Sequence, residues 1–284
     1  MSKCYIQIAG GIGNVIQSIP FIKQCKTQFD EVYGVYTRQD FTPKLFDAIL
    51  PCLKGLFTND HIFDTYCPPD APFFGTPIEH PTRAKFEKWD EPEYKKWFTV
   101  HEIPYPKTYD VRLKYDSSIE RSHKFIIWGG CKAIWKSKRW PYWADLASKL
   151  EDVAIVGLPD EGGDMPDHVV DYRGKISLPQ VAGLISKCEY YIGNEGGVSH
   201  LANAVGAKTF IIYGASCDKK NMPPQRKGLY KIALNLPCQP CQFLPNRGFT
   251  AGEGCPELSC LKTLSPDIVL SHIHRSNEDF LNNG

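Results

Sequence analysis

Short apolar segments alternate with segments of helical periodicity along most of this chain. The apolar segments are continuous, and most of them run directly into glycine, as buried strands do where they end in tight turns. Helical periodicity is clear over Tyr142–Leu150 and Leu178–Ser186, and another helix is expected from about Val198. This alternation predicts an α/β fold with parallel sheets that are covered on both faces. The predicted strands are Tyr5–Ala9, Val32–Tyr36, Phe125–Trp128, Val153–Val156, Tyr190–Ile192 and Phe210–Tyr213.

The two halves of the chain open in the same way, which predicts two domains. Tyr5–Ala9 runs into Gly10, and Phe125–Trp128 runs into Gly129. We therefore expect two Rossmann-like domains that face each other across a cleft. The predicted divisions are residues 1–124, residues 125–264 and a helical C-terminal tail over residues 265–284.

Residues 59–124 break the alternation, and they are rich in proline and aromatic residues. One interpretation is an irregular segment that packs on the first domain. The other is that its aromatic side chains line a pocket for a second substrate, since long ordered loops often carry specificity. The pattern alone leaves both open.

Basic and acidic residues nearly cancel, with 33 Lys and Arg against 32 Asp and Glu among 284 residues. This balance argues against a polyanion or a membrane surface as the main partner, although a local basic surface is still compatible with it. No apolar run approaches the ~20 residues of a membrane span, so we expect no integral membrane association. The eleven cysteines and the absence of a cleavable leader pattern favour the reducing cytosol.

The turn Gly193–Gly197 is the most informative segment, because it joins a buried strand to the beginning of a helix. Its glycines allow the backbone to approach a phosphate, and the free N–H groups of the helix attract the negative charge. Glu195 within the turn is suited to hold sugar hydroxyls. The pattern predicts a site for a nucleotide or a nucleotide sugar.

A second glycine turn, with Gly10, Gly11 and Gly13, follows the first strand. A G-x-G turn by itself is weak evidence, and it is equally compatible with tight packing of a helix on its strand. A nicotinamide cofactor is disfavoured because no acidic residue closes Val32–Tyr36, which is followed by Thr37 and Arg38.

A basic loop follows the strand Phe125–Trp128. Four basic residues fall between positions 132 and 139, and they suit a diphosphate or a departing negative charge. The alternative is a solvated loop, but its position at the carboxyl end of a strand favours ligand binding. We select Lys136, Lys138 and Arg139 as candidate donor-binding residues.

Four cysteines near the C-terminus, Cys238, Cys241, Cys255 and Cys260, have a spacing that suggests a tetrahedral thiolate site. A zinc ion there would hold together a loop without secondary structure. The alternatives are free buried thiols, or disulfides that form after exposure to air.

Four segments occur in the order seen in glycosyltransferase family 9, the heptosyltransferase-like enzymes of the GT-B fold. The chain resembles this family over about residues 5–270, and the segments are GGIGNVIQSIP, WGGCKAIWKSKRWP, GNEGGVSHLANAVG and CQPC…CLKTLSPDIV.

The resemblance implies that the second domain holds a nucleotide-diphosphate sugar and the first holds the acceptor. It implies no catalytic metal, because GT-B enzymes generally stabilise the leaving group with helix N-termini and basic residues. By position, the implied donor-binding residues are Gly11, Gly13, Glu195, Gly196, Gly197 and His200, together with the basic loop. For His200, a hydrogen bond to a neighbouring loop is the alternative role.

The chain departs from the family at Asn14. Heptosyltransferases have Asp in this turn, as G-x-G-D, and that Asp is the expected general base of an inverting reaction. An amide cannot accept the proton at useful pH. Three outcomes stay open: another base such as Asp110, His101 or Glu102; retention of configuration with help from the leaving phosphate; or binding without catalysis.

We therefore expect a glycosyltransferase that uses a nucleotide-diphosphate sugar. The transferred sugar could be a hexose, a pentose or a heptose. The acceptor expected from the resemblance is a saccharide of lipopolysaccharide type, and a modified nucleobase is an alternative. A non-catalytic nucleotide-sugar-binding protein is the competing class.

Overall fold

A computed structural model of the chain describes residues 1–8, 10–36, 47–59, 67–75, 92–132, 135–224, 226–242, 255 and 257–282. Two parallel sheets are formed within these ranges. Sheet A has the order β2–β1–β3, and sheet B has the order β6–β5–β4–β7–β8–β9. The strands are β1 (Lys3–Ile8), β2 (Glu31–Tyr36), β3 (Phe73–Phe74), β4 (Phe125–Trp128), β5 (Val153–Ile155), β6 (Val170–Asp171), β7 (Tyr190–Asn194), β8 (Thr209–Ile212) and β9 (Leu229–Ile232).

The helices of the described ranges follow the strands along the chain. They are α1 (Ile12–Cys25), α2 (Glu93–His101), α3 (Trp143–Ala147), α4 (Leu178–Ile185), α5 (Gly197–Ala204), α6 (Asp218–Asn221), α7 (Ser259–Lys262) and α8 (Pro266–Asn282), with short 3-10 turns at Leu50–Leu53 and Lys136–Lys138. None of these helices has both the length and the apolar character that spanning a bilayer requires.

Sheet B has the strand order of the Rossmann fold. Its first strand, β4, lies in the middle, the chain then moves outward to β5 and β6, and it returns to β7 on the other side of β4. The direction of winding therefore reverses between β4 and β7. In open α/β sheets, ligands bind outside the carboxyl ends of the strands at such a reversal. The carboxyl ends of β4 and β7 carry the two motifs Trp128–Gly130 and Asn194–Gly197.

Side chains of β4 alternate between two apolar cores, as they must in a strand that is covered on both faces. Phe125 and Ile127 pack with α3 and α8 on one face. Ile126 and Trp128 belong to the other core, which continues through α4 and α5 into α1 and sheet A. The two halves of the chain therefore share one continuous apolar core.

Most predicted strands and helices are confirmed, with ends that differ by a few residues. Ala9, the predicted end of the first strand, lies outside the described residues. The short strands β3, β6 and β9 and the helices α2, α6 and α7 were not predicted, because their sequences are too short or lack a clear apolar run or a clear periodicity. The α/β fold with parallel sheets is confirmed, and the division into domains at residues 124 and 264 stays a prediction.

The segment that precedes β4 lies directly against α4. A Cβ on Gly183 would lie only 1.8 Å from the backbone oxygen of Asp116, and the Asp116 N–H donates to the Pro179 carbonyl at 3.0 Å. Lys187 secures the same segment by donating to the backbone oxygens of Ser117 and Ile119. This helix therefore needs glycine at position 183 for packing.

Gly183→Ala tests this contact against helix propensity. Alanine is the better helix former by about 1 kcal/mol, so propensity alone predicts stabilisation. We expect instead a loss of about 1–3 kcal/mol in the free energy of unfolding, because the new methyl group displaces backbone. Urea unfolding measures the difference, and an increase in stability would contradict the packing of residue 116 on α4.

Candidate active site

The two glycine turns meet at the N-terminal ends of α1 and α5. A Cβ on Gly197 would lie 3.0 Å from Ile12 Cβ, and a Cβ on Gly13 would lie 2.8 Å from His200 Cδ2. These glycines are therefore required where the two helices touch. Each helix presents the free N–H groups of its first turn in the same region, so two partial positive charges converge there. Such an arrangement attracts an anion.

The first turn has glycine for a different reason at position 10. Gly10 has φ +87°, in the left-handed region that favours glycine. A side chain there would also collide with Asn14, whose Nδ2 would be 2.1 Å from the added Cβ. The Asn14 amide therefore folds back over its own turn. Gly11 is the residue that precedes α1, and its carbonyl accepts from the Asn14 N–H at 2.8 Å.

The carboxyl ends of β4 and β7 are tied together by Asn194. Its amide Nδ2 donates to the carbonyls of Gly129 at 3.0 Å and Gly130 at 3.2 Å. The Trp128 ring lies against the following turn, because a Cβ on Gly196 would be 2.7 Å from it. This close ring leaves no room for a larger residue at position 196.

Two of the predicted donor-binding residues, Lys138 and Glu195, are bound to each other. The Lys138 ammonium and the Glu195 carboxylate form a direct ion pair, and the side chains are only 6% and 7% exposed. Burial acts to raise the pKa of Glu195, but the attraction and hydrogen bond of Lys138 outweigh it, so its pKa lies below the ordinary value. Glu195 is therefore ionised at neutral pH, and it neutralises Lys138.

His200 is buried beside this ion pair, in contact with Gly13. Burial lowers the pKa of His200 to about 4; the nearby Glu195 opposes this shift, and Lys138 adds to it. The imidazole is therefore neutral at physiological pH. Its Nδ1 is buried and makes no hydrogen bond within the described part of the chain, so the predicted alternative of a loop-bonded histidine receives no support at that nitrogen.

The other cations of the basic loop lie in different places. The Arg139 side chain is exposed, and its Nε donates to Cys131 Sγ at 3.4 Å. The side chain of Lys136 lies outside the described residues. Lys132, which was not selected from the sequence, approaches the N-terminal turn: a Cβ on Gly11 would lie 3.9 Å from Lys132 Cε. The basic loop therefore reaches across to the first half of the chain through Lys132.

Glu161 is a second site residue that the sequence did not indicate. Its Oε2 accepts from Trp128 Nε1 at 2.8 Å and from the Leu158 N–H at 2.9 Å. The carboxyl group lies against Gly130 and Gly157, beyond the ends of β4 and β5. Burial raises its pKa above the ordinary value. The signal in the sequence was an acidic residue shortly after a predicted strand, in a stretch with glycines at 157, 162 and 163.

The three candidate bases from the middle region lie toward the other end of α1. Asp110 accepts from Arg112 and pairs with Lys23 at 3.0 Å, and Lys23 is nine residues beyond Asn14, about 13 Å along the helix. His101 Nε2 donates to the Gly75 carbonyl at 2.6 Å, and its ring packs on Phe21. Glu102 follows it at the end of α2. These groups do not face the Asn14 turn.

The four late cysteines are all free thiols. Burial, and then the adjacent Cys241, Cys238 and Cys255, raise the pKa of Cys260 to about 11. Across the described ranges, however, no three or more His, Cys, Asp or Glu side chains are grouped so as to hold a metal ion. Cys241, Cys238 and Cys255 therefore act on Cys260 electrostatically, although the described ranges do not group the four thiols around one point.

The sheets and the paired glycine turns define the class of fold found in GT-B glycosyltransferases. The model of glycosyltransferase family 9 (heptosyltransferase) matches residues 112–247. This match covers the basic loop and the donor turn, and it confirms the resemblance predicted from the motifs.

Several solved heptosyltransferases share the fold. The iron-containing dodecameric glycosyltransferase TibC of enterotoxigenic E. coli H10407 aligns over 100% of this chain and 80% of its own, with a TM-score of 0.72 and 15% identity. E. coli ADP-heptose lps heptosyltransferase II aligns over 97% and 98%, with a TM-score of 0.61 and 15% identity. E. coli heptosyltransferase WaaC, solved with ADP, has a TM-score of 0.56, 12% identity and coverage of 96% and 99%. No curated protein matches the sequence.

The buried imidazole of His200 predicts a pH dependence of stability. The folded-state pKa of about 4 lies below the ordinary 6.5, so only the unfolded chain takes up this proton between pH 6.5 and 4. The contribution is fully present above pH 6.5 and is lost as the pH falls toward 4. Between pH 6.5 and pH 4, the free energy of unfolding should fall in both proteins. We expect the fall to be about 3 kcal/mol smaller in His200→Gln than in the wild type. Urea unfolding at several pH values measures both, and parallel curves would contradict a buried neutral His200.

Proposed function

We propose that this protein is a glycosyltransferase that transfers a sugar from a nucleotide-diphosphate sugar to an acceptor. The observation that carries the proposal is the convergence of the N-terminal ends of α1 and α5, through Gly13 and Gly197, at the winding reversal of sheet B. A diphosphate suits this place because two helix N-termini face it and the ends of β4 and β7 border it. The match to family 9 over residues 112–247 supports the same chemistry.

ADP-heptose is the donor that we would test first. One neighbour, TibC, was solved in complex with ADP-D-beta-D-heptose, and it aligns with 98% of this chain at a TM-score of 0.69. WaaC was solved with ADP. These ligands belong to those proteins, and they motivate a heptosyl transfer here over a hexosyl or a pentosyl transfer.

The donor-binding roles predicted from the sequence change in one respect. Glu195 was expected to hold ribose, but its carboxylate is engaged by Lys138 in a buried pair. We assign the ribose hydroxyls instead to Glu161, which lies beyond β4 and β5 with one carboxylate oxygen already fixed by Trp128. The Lys138–Glu195 pair and the neutral His200 then form a polar wall beside the transferred sugar.

The reaction needs a group that accepts the proton of the acceptor hydroxyl. The side-chain amide of Asn14 cannot accept it. Asp110 pairs with Lys23 and His101 donates to the Gly75 carbonyl, toward the far end of α1, and Glu102 directly follows His101. His200 lies closer, but its burial opposes the charged form more than the neighbouring Glu195 favours it. We therefore propose that the departing phosphate oxygen accepts the proton from the acceptor hydroxyl, on the same face of the sugar. The expected product keeps the anomeric configuration of the donor.

The acceptor is proposed only as a class. A saccharide of lipopolysaccharide type follows from the family, and a modified nucleobase is the alternative. The exposed ring of Tyr105 stacks on Phe98 of α2, so the aromatic segment that precedes β4 offers a surface on which a sugar or base ring can pack.

The donor is tested by titration calorimetry with ADP-heptose, ADP-glucose and UDP-glucose, followed by a turnover assay. We expect binding of one of these sugars in the micromolar range, and release of free nucleoside diphosphate only when a saccharide acceptor is added. Glu161→Gln should weaken donor binding about tenfold, because a charged acceptor of ribose hydrogen bonds is lost. Glu151→Gln, which changes an exposed acidic residue after α3, serves as the matched control.

The outcomes separate the competing functions. Donor binding without nucleotide release, over a panel of saccharide acceptors, would indicate a binding protein and contradict the enzymatic proposal. Failure to bind any of the three nucleotide sugars or ADP would contradict the donor site itself. The anomeric configuration of the product, read by NMR, decides whether the phosphate acts as the base.

We also propose that Cys238, Cys241, Cys255 and Cys260 hold a structural zinc ion. The support is their spacing along the chain and the influence of Cys241, Cys238 and Cys255 on the pKa of Cys260. Because the described ranges do not group the four thiols around one point, the ion would have to draw them together. Mass spectrometry of protein purified without added metal should find one zinc per chain, and Cys238→Ser should reduce it while Cys67→Ser does not. Finding iron in place of zinc would change the assigned metal. Iron is a reasonable alternative because TibC is described as iron-containing. Metal-free protein in which all four thiols are reactive would contradict the proposed metal site.

A further inference from the structure

The short helix α6 makes another connection between the two halves of the chain. The Lys220 ammonium of α6 lies 3.8 Å from Oε2 of Glu93, which is the first residue of α2. The Glu93 side chain is only 2% exposed and that of Lys220 is 17% exposed, so the pair is largely shielded from water. It joins the aromatic segment that precedes β4 to the half of the chain that contains sheet B.

Three contacts fix α6 beside sheet B. The Gln242 side-chain oxygen accepts from the Cys217 N–H at 2.8 Å, directly before α6, and from Asn221 Nδ2 at 3.0 Å, at the end of α6. Lys231 of β9 donates to the carboxylate of Asp218, the first residue of α6, at 2.6 Å. Both ends of this one-turn helix are therefore anchored, and the backbone that carries its lysine is held in place.

The first residue of α2 lies at the same edge of sheet B as the donor turn. α6 follows the carboxyl end of β8, and the Glu195 N–H of the donor turn donates to the Ile212 carbonyl at the end of β8 at 3.0 Å. One turn beyond Glu93, the Trp97 ring packs on Phe21 of α1, with 5.2 Å between the ring centroids. The position of α2 relative to the donor turn therefore depends both on α1 and on α6.

We propose that Glu93 and Lys220 are positioning residues for sugar transfer: their ion pair sets α2, and with it the aromatic surface for the acceptor, against the donor turn. An ion pair suits this task because moving the two helices apart would separate opposite charges in a place largely shielded from water, which is costly. The proposal rests on the proposed function, and it gives neither residue a contact with the donor.

The first test is hydrogen exchange of the α2 backbone amides, which requires no substrate. In Lys220→Met, the amides of α2 should exchange at least about tenfold faster than in the wild type, because α2 loses this attachment, while those of β7 and β8 keep their rates. Lys220→Arg keeps the charge and should stay within about threefold of the wild type. Lys219→Met is the matched control: it removes an exposed lysine from the same helix and should leave α2 unchanged.

A double variant separates the pair from the other contacts of its two members. Glu93→Gln combined with Lys220→Met removes both charges, so that no buried carboxylate is left beside a missing cation and the chain keeps its fold. Circular dichroism and thermal unfolding check the fold of each variant. We expect α2 in the double variant to exchange no faster than in Lys220→Met, because the two residues act through one interaction. Effects of the single substitutions that simply add would overturn the pair.

Activity tests whether the pair serves transfer. With ADP-heptose as donor and the saccharide that releases most nucleotide, Lys220→Met should raise the acceptor KM at least about tenfold and favour hydrolysis of the donor over transfer. Its affinity for ADP, measured by calorimetry, should stay within about threefold of the wild type. A parallel loss of ADP affinity would indicate a merely structural role and would overturn the proposal.

The outcomes also separate this proposal from the proposed function. If Lys220→Met changes neither the exchange of α2 nor the acceptor KM, the positioning role is wrong and the glycosyltransferase proposal stands. If the wild-type protein binds no nucleotide sugar, the proposed function is wrong and the positioning role in transfer is overturned with it. In that case, hydrogen exchange in the single and double variants still decides whether the pair fixes α2.

Discussion

The contact between the N-terminal ends of α1 and α5 is the constraint on which the site depends. Gly13 and Gly197 lie where the two helices touch, and a Cβ at either position would come within 3.0 Å of the other helix. Each helix follows a strand of its own sheet, so the contact brings the two sheets' glycine turns together. The continuous apolar core from sheet A to sheet B stabilises this approach. The dipoles of both helices then act on the same small region.

The electrostatics around this contact follow from burial. A charged lysine or glutamate is costly to bury alone, and a complete buried pair avoids that cost only if both partners stay in place. Lys138 and Glu195 satisfy each other beside the donor turn, while His200 avoids the cost by remaining neutral. These three residues give the site fixed polar walls with little net charge. A ligand anion would therefore interact mainly with helix dipoles and with exposed cations at the edge of the buried pair.

Asn14 links this electrostatic picture to the chemistry. An acidic residue there would add a negative charge at the beginning of α1, next to the place we assign to phosphate. The amide adds none, and its side chain packs over Gly10. Because the side chain is an amide, it cannot accept a proton from an acceptor hydroxyl. Proton acceptance by the departing phosphate, as proposed above, needs no base in this turn.

The sequence by itself determined the alternation of strands and helices, the two strand–glycine–helix units and the family resemblance. Local patterns suffice for these features, because a buried strand such as Phe125–Trp128 and a glycine turn such as Gly193–Gly197 are encoded by neighbouring residues. Tertiary structure alone decided the strand order of sheet B, the pairing of Lys138 with Glu195 and the approach of Lys132 to Gly11. It also placed Asp110 at Lys23 and His101 at Phe21, farther along α1 than Asn14. Each of these features brings together residues that are far apart in the chain. The distances between such residues depend on how the helices and strands pack, and a local sequence pattern carries no information on that packing.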